Sequence, residues 1–125
     1  TMANSETKEL ATLAEVFKAL GHPTRLWIAK NLEGRELCVC DFVAGTNEEF
    51  SSISQHLNVL KKAHVVEWEK RGKHVFYRLA YPCIPWLIEC MEARDTLSRA
   101  SQEERKHILE QQRTMLIEHL MKQER

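Results

Sequence analysis

The hydrophobic period of this chain changes twice, and that change limits the fold more than any other feature. Up to about residue 63 apolar residues recur every three or four positions. Between residues 65 and 79 they alternate, and from about Pro82 the longer period returns. A period near 3.6 lines apolar side chains along one stripe of a helix, whereas a period of two places them on one face of a strand. The chain is therefore expected to be helical on both sides of a single β-hairpin.

Each segment carries its own signals. Leu10, Leu13, Ala14 and Phe17 form the apolar stripe of a helix over residues 7–20, which Gly21 stops. Pro23 suits the first position of a second helix, with Leu26, Ile28, Ala29 and Leu32 as its inner residues and Gly34 beyond its end. Residues 39–45 are expected to form a short third helix closed by Gly45. A fourth runs from about Phe50 to Ala63, with Ile53, Leu57 and Leu60 on one face and Phe50 in the core. Val66 and Trp68 then alternate with Val65, Glu67 and Glu69, and Val75, Tyr77 and Leu79 alternate with His74, Phe76 and Arg78. Between them Lys70-Arg71-Gly72-Lys73 is a short Gly-containing connection of the hairpin kind. Ile84, Leu87, Ile88 and Met91 restore the helical period, and a last helix over about 102–123 carries Ile108, Leu109, Leu116 and Leu120.

The expected fold class is mainly α with a small β-hairpin: a winged helix-turn-helix of about six helices and a two-stranded wing. A length of 125 residues fits a single domain, residues 1–125, with a core over about 7–97 and a C-terminal extra helix over about 102–123. No apolar run approaches the length of a membrane span and the N-terminal residues have no signal-peptide pattern, so the expectation is a cytoplasmic protein with no membrane partner. Nucleophile-elbow, P-loop, HExxH and dinucleotide-binding patterns are missing as well, which argues against an enzyme.

Two short helices followed by a basic-tipped hairpin make up a winged helix-turn-helix, in which the second helix of the pair enters the major groove of DNA. In the fourth helix Ser51, Ser52, Ser54, Gln55 and His56 offer hydroxyl, amide and imidazole groups that can reach phosphates or base edges. Lys61 and Lys62 follow, and the hairpin tip adds Lys70, Arg71 and Lys73. The whole chain has a formal net charge of zero, so any electrostatic footprint must be local. Residues 50–80 hold six Lys and Arg against two Glu, a local charge of +4. A solvated hairpin tip would explain the charge alone; the order of elements is what favours double-stranded operator DNA as the partner.

Four blocks then carry a resemblance: His22-Pro23-Thr24-Arg25-Leu26, Glu36-Leu37-Cys38-Val39-Cys40-Asp41, Ile53-Ser54-Gln55-His56-Leu57, and Lys70-Arg71-Gly72-Lys73-His74-Val75-Phe76-Tyr77-Arg78-Leu79. In that order and spacing, over about residues 10–95, the chain resembles the ArsR family of metal- and stress-sensing repressors. The resemblance implies a homodimer formed largely by the first and fifth helices, which leaves its operator when an inducer binds. One departure is the pair Glu48 and Glu49 ahead of Phe50. Carboxylates there must either point away from the phosphates or help select sequence, and Phe50 itself could touch a thymine methyl, although a core role is the plainer expectation.

The resemblance also bears on the four cysteines. Cys38 and Cys40 stand where arsenic-sensing relatives have a thiolate ligand box, but Val43 occupies the place of its third cysteine. Trivalent arsenic takes three thiolates, so a third sulfur is expected from Cys83 or Cys90 of either subunit. Cys38, Cys40 and Cys90 are accordingly the candidate metal ligands, with trivalent arsenic or another soft metal ion as the inducer. For Cys83 and Cys90 the plainer reading is a buried filler. The alternative is a repressor of the same fold that senses oxidants or reactive sulfur through Cys38 or Cys40 paired with Cys90, since a bridge between residues two apart would be strained. A carboxylate–histidine site on the fifth helix is set aside, because Glu89 and Glu92 have no histidine near them before His107. His107 and His119 are expected to be exposed.

Overall fold

The structure, a computed structural model, describes residues 3–123. Along the chain it forms α1 (Asn4–Leu20), α2 (Pro23–Asn31), β1 (Leu37–Cys38), α3 (Val39–Ala44), α4 (Phe50–Lys62), β2 (Val66–Arg71), β3 (His74–Leu79), α5 (Ile84–Glu92), α6 (Arg94–Arg99) and α7 (Gln102–Gln123). Contacts divide these elements into two compact units, one ending at Pro82 and the other beginning at Cys83.

The first unit is a winged helix-turn-helix. Pro23 opens α2 with its φ preset for a helix, and the His22 ring accepts a hydrogen bond from the Thr24 amide through Nδ1 at 3.1 Å, satisfying a donor at the helix start. Ile28 and Leu32 of the α2 region, Phe42 of α3, and Ile53, Leu57 and Leu60 of α4 are all fully buried, together with Val65. Trp27 meets Phe42 edge-on, ring centroids 6.0 Å apart, and Gly45 passes close to the Trp27 ring. Leu26, expected inside, is instead exposed, because the helix turns it away from the stripe that Ile28, Ala29 and Leu32 define.

A tight reversal joins α4 to the wing. His64 adopts φ 60°, and the Val65 amide donates to the Leu60 carbonyl at 2.9 Å, closing the last turn. That reversal buries Val65 before the strand begins, so both Val65 and Val66 lie in the core and Trp68 is left 47% exposed. On β3 the expected alternation holds, with Tyr77 and Leu79 buried. The β2–β3 register pairs Arg71 with His74, so the reversal is the two residues Gly72 and Lys73. Gly72 takes φ +62°, a conformation open to glycine without steric cost. A third strand, β1, adds to the expected pair and gives the order β1-β3-β2, with Leu37 opposite Tyr77 and Cys38 opposite Phe76. Two residues are too few for alternation to be visible in sequence.

Only Val16, Ala19 and Leu20 of α1 are buried; Leu10, Leu13 and Phe17 of the sequence-predicted stripe are exposed. In the second unit the fifth helical segment is broken after Glu92 into α5 and α6. Along α7 the half-buried face runs through Ile108, Gln112 and Leu116, while Leu109 and Leu120 are exposed with Met115, Ile117 and Met121. His107 is exposed as expected, whereas His119 is half-buried. Among the described residues no helix is long and apolar enough to cross a membrane.

His64 is a side chain in a conformation that costs most L-residues about 1–2 kcal/mol. Replacing it with glycine removes that strain but adds freedom to the unfolded chain. His64→Gly is expected to stabilise the protein by about 0.5–1 kcal/mol, measured by urea or thermal unfolding. A loss of stability would show that the imidazole makes compensating contacts.

Candidate nucleic-acid interface and thiol cluster

The burial of α4 sets what it shows to solvent. With Ile53, Leu57 and Leu60 inward, the exposed side carries Ser51, Gln55, Asn58 and Lys62, at spacings of four, three and four. These form one polar stripe with the chemistry for base edges and phosphates. Asn58 is absent from the sequence-predicted set, although the same periodicity that selects Gln55 also selects it. Ser54 is half-buried at the edge of the stripe. Phe50, expected in the core, is 56% exposed at the start of α4, because the buried face begins only at Ile53.

Two predicted DNA-facing residues turn away from that stripe. The Ser52 hydroxyl donates to Glu48 Oε2 at 2.7 Å, and the Thr24 hydroxyl donates to Glu48 Oε1. His56 lies against the His22 ring, centroids 4.4 Å apart. Its Nδ1 is 3.1 Å from Arg25 Nη1, and its Nε2 is 3.7 Å from Glu48 Oε2. Arg25 also donates through Nε to the Ala19 carbonyl. Glu48 is thus directed back toward α2 and α4, which answers how a carboxylate sits at the start of α4. The Thr24 and Ser52 hydroxyls hold its carboxyl below the usual range, and burial pushes the His56 imidazole down, helped by the neighbouring His22 and Arg25.

The wing tip is less basic than its sequence. Arg71 pairs with Glu36 at 2.6 Å and with Glu69 at 2.7 Å; Arg78 pairs with Glu67 at 3.0 Å and Glu36 at 3.4 Å. Glu36 precedes β1, and the β1–β3 pairing carries it into this group, where the Arg71 hydrogen bond lowers its pKa. Arg71 also lies over the Phe76 ring, and Lys61 over the Trp68 ring, its Nζ 3.8 Å from the centroid. Lys70 and Lys73 remain exposed and outside any ion pair among the described residues. Lys62, at the end of α4, is likewise exposed.

The thiol box sits where β1 becomes α3. Cys38 is 8% exposed and caps α3, its amide donating to Asp41 Oδ2 at 2.9 Å and its thiol donating to the same oxygen at 3.2 Å. Burial raises the Cys38 pKa and the adjacent carboxylate raises it further, so the group is a thiol at neutral pH. Those two hydrogen bonds in turn lower the pKa of Asp41. Cys40, one residue into α3, is exposed. One donor atom each from Cys38, Cys40 and His74 lie within 4.8 Å of one another. From sequence His74 is only a strand residue; nothing in its neighbourhood links it to residues 38–40, and β-sheet pairing alone brings it there. Cys90, the third predicted ligand, belongs to the second unit, where its thiol donates to Gln112 Oε1 at 3.5 Å. All four cysteines are free.

Comparison with known proteins places these features in context. Residues 22–67 match the family described as "Bacterial regulatory protein, arsR family". The chain is 40% identical over 80 residues to an HTH-type transcriptional regulator of Methanocaldococcus jannaschii, covering 63% of this chain and 90% of that one. It is also 39% identical over 93 residues to a cadmium resistance transcriptional regulatory protein CadC homolog of Staphylococcus aureus, covering 69% and 76%. Among solved structures, HlyU from Vibrio cholerae superposes with a TM-score of 0.61 at 30% identity, covering 70% of this chain and 94% of that one.

The inward cluster gives a pH dependence. The His56 pKa is below its ordinary 6.5 in the folded state, so from neutrality down through 6.5 the unfolded chain takes up the proton first and stability falls. The fall levels off below the folded pKa of His56. Glu48 adds a second loss beginning near 4.5, as its depressed carboxyl is protonated last in the folded state. Thermal melts from pH 7.5 to 4 are expected to show the first decline in the wild type and to lose it in His56→Gln. The same slope in both would remove His56 from the explanation.

Proposed function

The chain belongs to the ArsR family of bacterial regulatory proteins, which are transcriptional regulators and not enzymes, and we propose that it is a cytoplasmic, homodimeric repressor that leaves its operator when a thiophilic ion binds. The observation that carries this reading is the two-sided α4. Ile53, Leu57 and Leu60 lock one face into the core, so Ser51, Gln55, Asn58 and Lys62 are held in fixed orientation toward solvent, and the hairpin that packs on α4 through β2 exposes Lys70 and Lys73 at its tip. A rigid polar helix next to a basic hairpin suits the major groove and the adjoining phosphates.

Dimerisation has its own support. Leu10, Leu13 and Phe17 expose an apolar stripe on α1, a surface that isolated soluble chains seldom leave uncovered. Met91 on α5 is 65% exposed, and the resemblance assigns these two helices to the subunit contact. A two-fold dimer would present two copies of α4 to half-sites about one DNA turn, ~10 bp, apart or a multiple of it.

For the inducer, the state of Cys38 favours an ion over an oxidant at that sulfur, and the redox alternative then rests on the exposed Cys40. Redox-sensing cysteines are accessible and readily lose their proton, whereas Cys38 is buried and held as a thiol. A thiophilic ion can displace that proton by coordination. Trivalent arsenic, which takes three thiolates, would need a sulfur such as Cys90 in addition to Cys38 and Cys40.

Operator binding should separate two classes of residue. Gln55→Ala and Asn58→Ala are expected to relax preference at particular base pairs, each by about 1–3 kcal/mol of discrimination. Lys70→Ala and Lys73→Ala should weaken all duplexes alike and reduce the salt slope by about one per lost phosphate contact. Arg71→Ala should cost less, because its guanidinium is already paired with Glu36 and Glu69. Gel-shift titrations over several salt concentrations measure this, and sequence-blind losses from the α4 changes would remove that helix from base readout.

Inducer response supplies the second test. In the wild type a bound ion needs only about 3 kcal/mol of preference for the free protein to lower operator affinity more than a hundredfold. Replacing Cys38 and Cys40 together by Ser should leave DNA binding intact and abolish release by arsenite, cadmium and zinc ions. Release that persists in the double variant would put the inducer site elsewhere.

A further inference from the structure

The first unit holds a third donor for the Cys38–Cys40 pair, and it is not a sulfur. β3 runs two residues past its last partner on β1, since Cys38 pairs with Phe76 while His74 lies beyond it. At that point the chain leaves the sheet and winds into α3, so the first turn of α3, with Cys40, rises beside His74. Donor atoms of Cys38, Cys40 and His74 consequently lie within 4.8 Å of one another before any ion is added. Around a tetrahedral zinc ion, with bonds of about 2.3 Å to sulfur and 2.0–2.1 Å to nitrogen, donors stand about 3.3–3.8 Å apart. Side-chain rotations at the two exposed members, Cys40 and His74, are enough to close that difference.

We infer that Cys38, Cys40 and His74 form a divalent-ion site of the zinc and cadmium class, with one coordination position left open. This deepens the proposed inducer role of the thiol pair and rests on it. Two thiolates balance the charge of a divalent ion, and imidazole is a good ligand for zinc but a poor substitute for the third thiolate that trivalent arsenic requires. Asp41, which accepts hydrogen bonds from the Cys38 amide and thiol, orients that sulfur and still holds its backbone once the thiol proton has gone. His74 also faces Arg71 across the hairpin end, immediately after the exposed Gly72-Lys73 turn. An ion at this site therefore ties the start of α3 to the tip end of the wing. The wing, rather than α4 alone, becomes the part whose position depends on the ion.

Ion binding by the reduced full-length protein tests this without DNA. Cobalt(II) is used as the spectroscopic probe, and zinc and cadmium affinities are measured by competition with a chelator. The wild type is expected to bind one ion per chain and to give the intense visible bands of tetrahedral cobalt with thiolate charge transfer. His74→Gln should weaken zinc and cadmium binding by at least about tenfold, a minimum set by the loss seen when only a second-shell partner is removed. His74→Cys should reverse the preference and raise arsenite affinity, because it completes three sulfurs. Since His74 is exposed at a strand end, thermal melts should show both variants folded. Equal zinc and cadmium affinity in wild type and His74→Gln overturns the assignment, as does arsenite binding tighter than either ion in the wild type. A His74-dependent ion site that leaves operator affinity unchanged supports the site and overturns the inducer role.

Discussion

Burial of Ile53, Leu57 and Leu60 fixes the rotation of α4 about its axis, and the rest of the functional surface follows from that rotation. Three fully buried aliphatic side chains on one stripe leave the helix a single way to sit against α2 and α3. Exposing any of them would forfeit roughly 1.5–3 kcal/mol of burial. The orientation of Gln55 and Asn58 is thus set by apolar residues one or two positions away, not by their own contacts. It explains too why His56, next to Leu57, points into the protein and Gln55 does not.

Electrostatics refine this arrangement rather than create it. The sequence has carboxylates where a DNA-binding surface least tolerates them, and the fold gives several of them cationic or hydroxyl partners. Glu48 is engaged by Thr24, Ser52 and His56; Glu36, Glu67 and Glu69 share Arg71 and Arg78. These exposed pairs contribute little stability individually. Their consequence is local: in α4 and the wing, Lys62, Lys70 and Lys73 are exposed and outside any ion pair among the described residues, whereas Arg71 and Arg78 are paired. A chain of zero net charge can offer a nucleic acid a local field in this way.

The short strand β1 has a role out of proportion to its two residues. Its pairing with β3 brings Glu36 to the wing arginines, places Cys38 at the start of α3 and puts His74 beside the thiols. One backbone ladder therefore links the thiol cluster to the hairpin, and in the proposed function it is the route by which an ion would act on the wing. The link is local and built from hydrogen-bonded backbone, so it needs no rearrangement of the core.

The sequence by itself determined the elements that repeat long enough to show a period. α2, α4 and the β2–β3 hairpin follow from spacing, Pro23 and Gly72, because apolar burial imposes the same period on every turn or pleat, and α1 and α7 show the helical period although much of their apolar stripe is exposed. It also set the candidate polar residues of α4 and the thiol pair. Tertiary structure decided what no local period encodes: that β1 exists, that Phe50 lies outside and Val65 inside, and that α7 turns Ile108 and Leu116 rather than Leu109 and Leu120 out of solvent. It decided as well that His56 and Arg71 are engaged with the protein's own groups while Asn58 is free to face solvent. His74 stands 34 positions from Cys40, and only the antiparallel register of β3 on β1 makes them neighbours. The physical reason is common to all of these. Periodicity reports how a residue sits relative to its own helix or strand, whereas a binding site depends on which separate elements the buried core forces together.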